Sequence, residues 1–134
     1  MLRWPEVDAG YLRGFVTTNS RKELRNFAER LFAKKDLVTR QLVDDIIRFK
    51  RIDGVQAALE SILSSFLDGD RQRTVLRQEV KNLKMPVRAI WGQEDRIIPA
   101  AHAAAVGNDV HILPNAGHMV HMEAANEVNK LLQS

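Results

Sequence analysis

The stretch Pro86-Val87-Arg88-Ala89-Ile90-Trp91-Gly92-Gln93-Glu94-Asp95-Arg96-Ile97-Ile98-Pro99 decides the fold. Its first half is short, rich in β-formers and bounded by proline and glycine, so Val87 to Trp91 reads as a strand. Pro99 suits the first turn of an alanine-rich helix through about Val106. Asp109 to Leu113 repeats the strand signature, Pro114-Asn115-Ala116-Gly117 is a turn, and Glu123 to Leu132 reads as a closing helix. Strand, helix, strand and helix therefore alternate. A helical crossover makes the two strands parallel neighbours rather than a hairpin.

Upstream of Pro86 the texture is helical. Ser20-Arg21-Lys22-Glu23 is a capping box, with Leu24, Phe27, Leu31 and Phe32 on one face of the helix it starts. Thr39 caps a second helix striped by Leu42, Val43, Ile46 and Ile47, and Asp53 a third carrying Val55, Leu59, Ile62, Leu63 and Phe66. An earlier helix spans about Tyr11 to Thr17, and Asp68-Gly69-Asp70 marks a turn before a short helix through Leu76 and Val80. The stripes point to packing rather than to a ligand role. The fold class is α/β: a helical segment over 1–84, then two β-α units with parallel strands over 85–134.

Composition narrows the function classes. The 134 residues suit one compact domain, and 45% hydrophobic with 28% charged residues is ordinary for a globular chain. No apolar run approaches the roughly 20 residues that span a bilayer, so no membrane partner is expected. Met1-Leu2-Arg3-Trp4-Pro5 lacks the apolar core of a secretory signal, which makes the cytoplasm the expected location. The formal charge of +3 is spread among acidic residues, as in Arg21-Lys22-Glu23, without a basic and aromatic stripe; nucleic acid is not an expected partner. Cysteine is absent, which removes disulfides and thiolate metal sites.

Two polar loops follow the two strands, the position where open α/β sheets hold their ligands and catalytic groups. With parallel neighbours, Asp95 of the first loop and His118 of the second meet at one sheet edge. A carboxylate there orients an imidazole and stabilises its protonated form, leaving the other ring nitrogen as general base. Taken alone, an aspartate and a histidine in loops are more often solvated or structural. His102, His111 and His121 have no Glu or Cys at zincin or zinc-finger spacing, so no metal is expected. Trp91 reads as a packing residue.

The pattern Pro86-Val87-x-x-Ile90-Trp91-Gly92-x-x-Asp95-x-x-x-Pro99, followed by Leu113-Pro114-x-Ala116-Gly117-His118, resembles the last two strand-loop units of the α/β-hydrolase family. The resemblance implies a partial α/β-hydrolase fold in which Asp95 and His118 are the acid and histidine of a catalytic triad and the upstream helices form the cap. The phrases Leu37-Val38-Thr39-Arg40-Gln41, Lys50-Arg51-Ile52-Asp53-Gly54-Val55 and Gly117-His118-Met119-Val120-His121-Met122-Glu123-Ala124 are similar to a narrower group, the hydrolase-like domains of dihydrolipoamide acetyltransferases of bacterial acetoin dehydrogenase complexes. That likeness implies a parent acyltransferase using a lipoyl group and coenzyme A, with the other complex components as partners.

The departures carry equal weight. Gly-x-Ser-x-Gly occurs nowhere, so the nucleophile elbow and the backbone donor after it are missing, and no lipoyl domain is present. Ser20, Ser61, Ser64, Ser65 and Ser134 fall in expected helices, caps or the terminus and do not replace it. The expectation is a C-terminal fragment, inactive alone and without a cofactor of its own, that self-associates through an unpaired strand edge or its helices. A generic ester or carbon-carbon-bond hydrolase fragment and a non-catalytic helical assembly module are the alternatives.

Overall fold

The computed structural model describes residues 8–134; Met1 to Pro5, on which the reading of the leader rests, lie outside them. Helix α1 (Ala9–Thr17) opens on Asp8, whose carboxylate accepts the Tyr11 amide at 2.8 Å. Helix α2 (Arg21–Leu31) is capped by Ser20, but only half of the expected box forms. The Ser20 amide donates to Thr18 Oγ1 at 3.2 Å, and the Thr18 hydroxyl in turn donates to Glu23. A threonine thus relays the contact that the glutamate makes directly in a standard box.

A 3-10 turn (Lys35–Leu37) leads to helix α3 (Arg40–Lys50), capped by Thr39, whose Oγ1 accepts the Leu42 amide at 3.1 Å. Helix α4 (Val55–Phe66) starts differently from the sequence reading. Gly54, at φ 82°, occupies the cap position, and Asp53 makes no capping bond. The chain turns there through the left-handed region, which glycine enters without steric cost and aspartate does not.

Leu24, Ala28, Phe32, Val38 and Val43 form the buried core of this helical layer, with Leu42, Ile46 and Ile47 packed against it. Burying each large side chain contributes about 1.5–3 kcal/mol. Lys50 is buried as well, at 6% exposure, and its ammonium donates to the carbonyls of Phe15 and Thr18, both at 2.6 Å. These acceptors belong to the C-terminal turn of α1, where carbonyls lack helical partners and a cation is favoured. Desolvation pulls the Lys50 pKa down.

Asp68-Gly69-Asp70 is the tip of a small hairpin joining β1 (Leu67–Asp68) to β2 (Arg71–Gln72), a pair the sequence reading did not contain. Gly69 takes φ 59° at the turn, and Arg13 of α1 holds the tip through Asp70 and the Gly69 carbonyl. The short helix α5 (Arg77–Lys81) follows.

Strands β3 (Arg88–Gly92) and β4 (Asp109–Leu113) pair in parallel, Arg88 opposite Asp109 and Gly92 opposite Leu113. The connection is a 3-10 helix (Ala100–Ala105) rather than the expected α-helix, with Pro99 just before its first residue. A short helix α6 (Val120–Glu123) forms where the sequence reading had mostly loop, and the terminal helix α7 (Ala125–Gln133) starts two residues later than expected, after Ala124 at φ −129°. Among the described residues β3 pairs with β4 alone, so its other edge carries no strand.

Candidate active site

Both loops beyond the parallel strands are tied to each other before any side chain meets. The ladder runs on past β3: the Gln93 amide donates to the Leu113 carbonyl and the Glu94 amide to the Ala116 carbonyl, each at 2.9 Å. So close an approach requires glycine. A Cβ on Gly92 would sit 2.0 Å from the Gly117 carbonyl oxygen, and one on Gly117 would sit 2.8 Å from the Ala33 amide nitrogen.

The loops bring Asp95 and His118 together. The Asp95 side chain is 4% exposed, and its Oδ2 lies 2.9 Å from His118 Nδ1. Its Oδ1 accepts the amides of Ile97 at 2.8 Å and Ile98 at 2.9 Å. Burial works to raise the Asp95 carboxyl, but the bonds from His118, Ile98 and Ile97 together outweigh it and hold the pKa below the ordinary carboxylate value. Asp95 is therefore an ionised acceptor at neutral pH. The His118 ring donates from Nδ1, and Nε2 remains as the basic nitrogen.

Two further residues position this pair, and the sequence reading did not single out their roles. Trp91, half-buried on β3, donates from Nε1 to the Ile98 carbonyl at 2.9 Å, closing the Asp95 loop. Glu123 is a brace for the His118 loop: Oε2 accepts the Gly117 amide at 2.6 Å and Oε1 the Lys34 amide at 2.9 Å. The Met119 amide adds a bond to the Leu31 carbonyl at 3.0 Å, and its side chain packs on the helical core. The histidine loop is thus pinned to the C-terminal end of α2. The sequence signal was present in the glutamate five residues after His118, on a helix that folds back over its own loop.

Beside His118 an apolar cleft of about 360 Å³ lies between the packed helices α1 and α4, lined by Leu12, Phe15, Leu59 and Leu63 and, from the Asp95 loop, Ile97. Tyr11 also faces it; burial pushes its phenol up to about 12, so it stays protonated and donates to the Phe27 carbonyl at 2.9 Å. The cleft explains why α4 has no fully buried residue: its stripe faces this space, with Ile62 at 63% and Phe66 at 40% exposure.

The remaining histidines and serines stand apart. His111 on β4 lies 2.7 Å from Asp109, which also pairs with Arg88 at 2.6 Å; His102 is in the 3-10 helix and His121 is exposed on α6. Among the described residues no group of three metal-ligating side chains is gathered. Ser64 and Ser65 donate to carbonyls of their own helix, at Glu60 and Ile62, and Ser20 is the α2 cap.

No protein-family model matches the chain. It is 45% identical over 129 residues, 95% of its length, to the dihydrolipoyllysine-residue acetyltransferase component of the acetoin cleaving system of Cupriavidus necator, and 44% identical over 125 residues, 92% of its length, to the same component of Pseudomonas putida. It spans about a third of each relative, 34% and 33%. A crystal structure of a meta-cleavage product hydrolase superposes with a TM-score of 0.77 at 20% identity, over 96% of this chain and 48% of that one. Such α/β-hydrolase neighbours establish the architecture: the chain has a partial α/β-hydrolase fold.

Proposed function

We propose that this chain supplies the acid and the histidine of an acyl-transfer centre in an acetoin-cleaving acetyltransferase, and that the nucleophile comes from a part of the fold outside it. The observation that carries this reading is the Asp95–His118 bond at 2.9 Å, with His118 lining an apolar cleft. The likeness to the acetoin-system components, 45% and 44% identical, supports the chemical class. Asp95 keeps the Nδ1–H tautomer and stabilises the imidazolium, and His118 Nε2 takes the proton of a nucleophile and returns it to the leaving group. A lipoyl group, when present, would bring the acyl group as a thioester on a flexible arm, and coenzyme A would accept it. The cleft suits the arm: its lining carries no charged side chain except His118 when protonated, which favours an alkyl chain over the phosphates of coenzyme A.

The test has two parts. The chain alone hydrolyses small activated esters no faster than its His118→Ala variant, because triad members act as a unit. Joined to the other two-thirds of the Cupriavidus necator relative, it transfers acetyl groups from S-acetyldihydrolipoamide to coenzyme A, and His118→Ala lowers kcat by about a thousandfold or more. Full transfer by the His118→Ala hybrid would refute the assignment.

A further inference from the structure

The positive charge of the chain is concentrated in one place. Residues 71–84 hold five basic side chains and one acidic one, Glu79, a net charge of +4 that exceeds the +3 of the whole sequence. Arg73 turns to the carbonyls of Ser64 and Leu67, but Arg71, Arg77, Lys81 and Lys84 are exposed and, among the described residues, form no ion pair. Arg77 and Lys81 stand four apart on α5 and share a helix face. Apolar side chains are interleaved with these cations: Val75, Leu76, Leu83 and Met85 are exposed. A groove of about 560 Å³ adjoins them, lined by Val80 and Lys81 of α5, by Leu83 and Met85 after it, and by Ala105 and Asp109 from the 3-10 helix and β4. Asp109 does not oppose the basic rim, because Arg88 and His111 already engage its carboxylate.

We infer that this segment and its groove form a docking surface for an acidic segment of a partner protein, with an aromatic or aliphatic anchor of that segment in the groove and its carboxylates on Arg77, Lys81 and Lys84. Charge selects the partner. Four unpaired cations on one stretch repel a basic surface and steer an acidic one, while exposed Leu83 and Met85 gain only from a ligand that brings apolar surface to bury. A protein segment supplies both. Nucleic acid supplies the charge, but no aromatic side chain lies between Phe66 and Trp91 to stack a base. A bilayer needs a longer apolar face than α5, whose five residues make about one and a half turns. Val87 and Asp109 place the groove at the amino ends of β3 and β4, opposite the loops of Asp95 and His118, so the surface is independent of the acyl-transfer reading.

The probe is a fluorescein-labelled peptide of glutamate and aspartate around one central phenylalanine, titrated against the chain by fluorescence anisotropy while backbone amides are followed by NMR. Binding is expected to shift the amides between Arg77 and Val87 and to weaken as salt rises. Arg77→Glu combined with Lys81→Glu lowers affinity by about tenfold, and serine in place of phenylalanine in the peptide lowers it by about tenfold or more. Both substituted positions are exposed, and an unchanged His118 Nδ1 proton shows that the fold survives. An affinity that the double variant or the serine peptide leaves unchanged overturns the inference, as does tighter binding of a single-stranded oligonucleotide or of phosphatidylserine vesicles at the same residues. The last arm uses the hybrid with the rest of the Cupriavidus necator relative. Peptide shifts at the same residues there support the surface, whereas amides 77–85 that are protected from exchange without peptide and do not respond to it show that the rest of the fold covers the groove, and the inference falls.

Discussion

Replacing Gly92 by alanine should separate the two site loops without touching either functional side chain. The added methyl would stand 2.0 Å from the Gly117 carbonyl oxygen and 2.5 Å from that of Ala116, both backbone atoms that cannot rotate away. Relief requires moving one loop by an ångström or more. That movement strains the neighbouring bonds from Gln93 to Leu113 and from Glu94 to Ala116. Overpacking of this kind costs about 1–3 kcal/mol, and two weakened backbone bonds add about 1 kcal/mol each, for a total of about 3–5 kcal/mol. For a chain of this size the melting temperature falls by about 10–20 °C. Urea denaturation followed by circular dichroism gives the free energy, and the hydrogen-bonded Nδ1 proton of His118, visible by NMR at low temperature, reports the contact with Asp95. A variant destabilised by less than about 1 kcal/mol that keeps this proton would show that the close approach of Gly92 to the histidine loop is not what sets the geometry.

Four other outcomes follow from the same structure. Asp95 has a depressed pKa, so its contribution to stability is fully present above the unfolded value of about 3.9 and is lost as pH falls through the lower folded value; Asp95→Asn should flatten the acid limb of a stability-against-pH curve, and an unchanged limb would refute it. Lys50→Met leaves the Phe15 and Thr18 carbonyls without their donor and should cost about 1–3 kcal/mol, measured by urea denaturation, whereas a neutral or stabilising change would show that desolvation of the ammonium outweighs its bonds. Glu123→Gln keeps one acceptor oxygen for two amides, so hydrogen exchange at Gly117 or Lys34 should accelerate by about tenfold while α3 is unaffected; uniform acceleration would assign Glu123 a global role instead. The open edge of β3 and the exposed faces of Ile62 and Phe66 favour self-association, and sedimentation equilibrium showing a monomer across a wide concentration range would exclude it.

How much of this was legible in the sequence depends on the range of the interaction. Local signals placed α2 and α3 with their Ser20 and Thr39 caps, and short runs of β-formers between turn residues placed both strands, β4 with its boundaries and β3 within a residue. The parallel pairing also followed from the chain itself, because a crossover of that length excludes a hairpin. Errors arose where a local rule had a near-equal competitor. Asp53 and Gly54 both suit a helix start, and the left-handed turn chose glycine; the alanine-rich run after Pro99 has high helix propensity, yet only six residues separate Pro99 from Val106, and they form a 3-10 helix.

The sequence by itself singled out the candidate residues, an aspartate and a histidine in loops after consecutive parallel strands, and holds no Gly-x-Ser-x-Gly. The tertiary structure decided whether they meet and in what state. The 2.9 Å contact depends on Gly92 passing under Gly117, on Trp91 closing one loop and on Glu123 pinning the other to α2, contacts that link positions from 34 to 123. The open cleft has the same origin. A stripe of apolar residues specifies that α4 must turn one face away from water, but only the spacing of α1, α4 and the histidine loop determines whether that face is filled by the chain or left for another molecule.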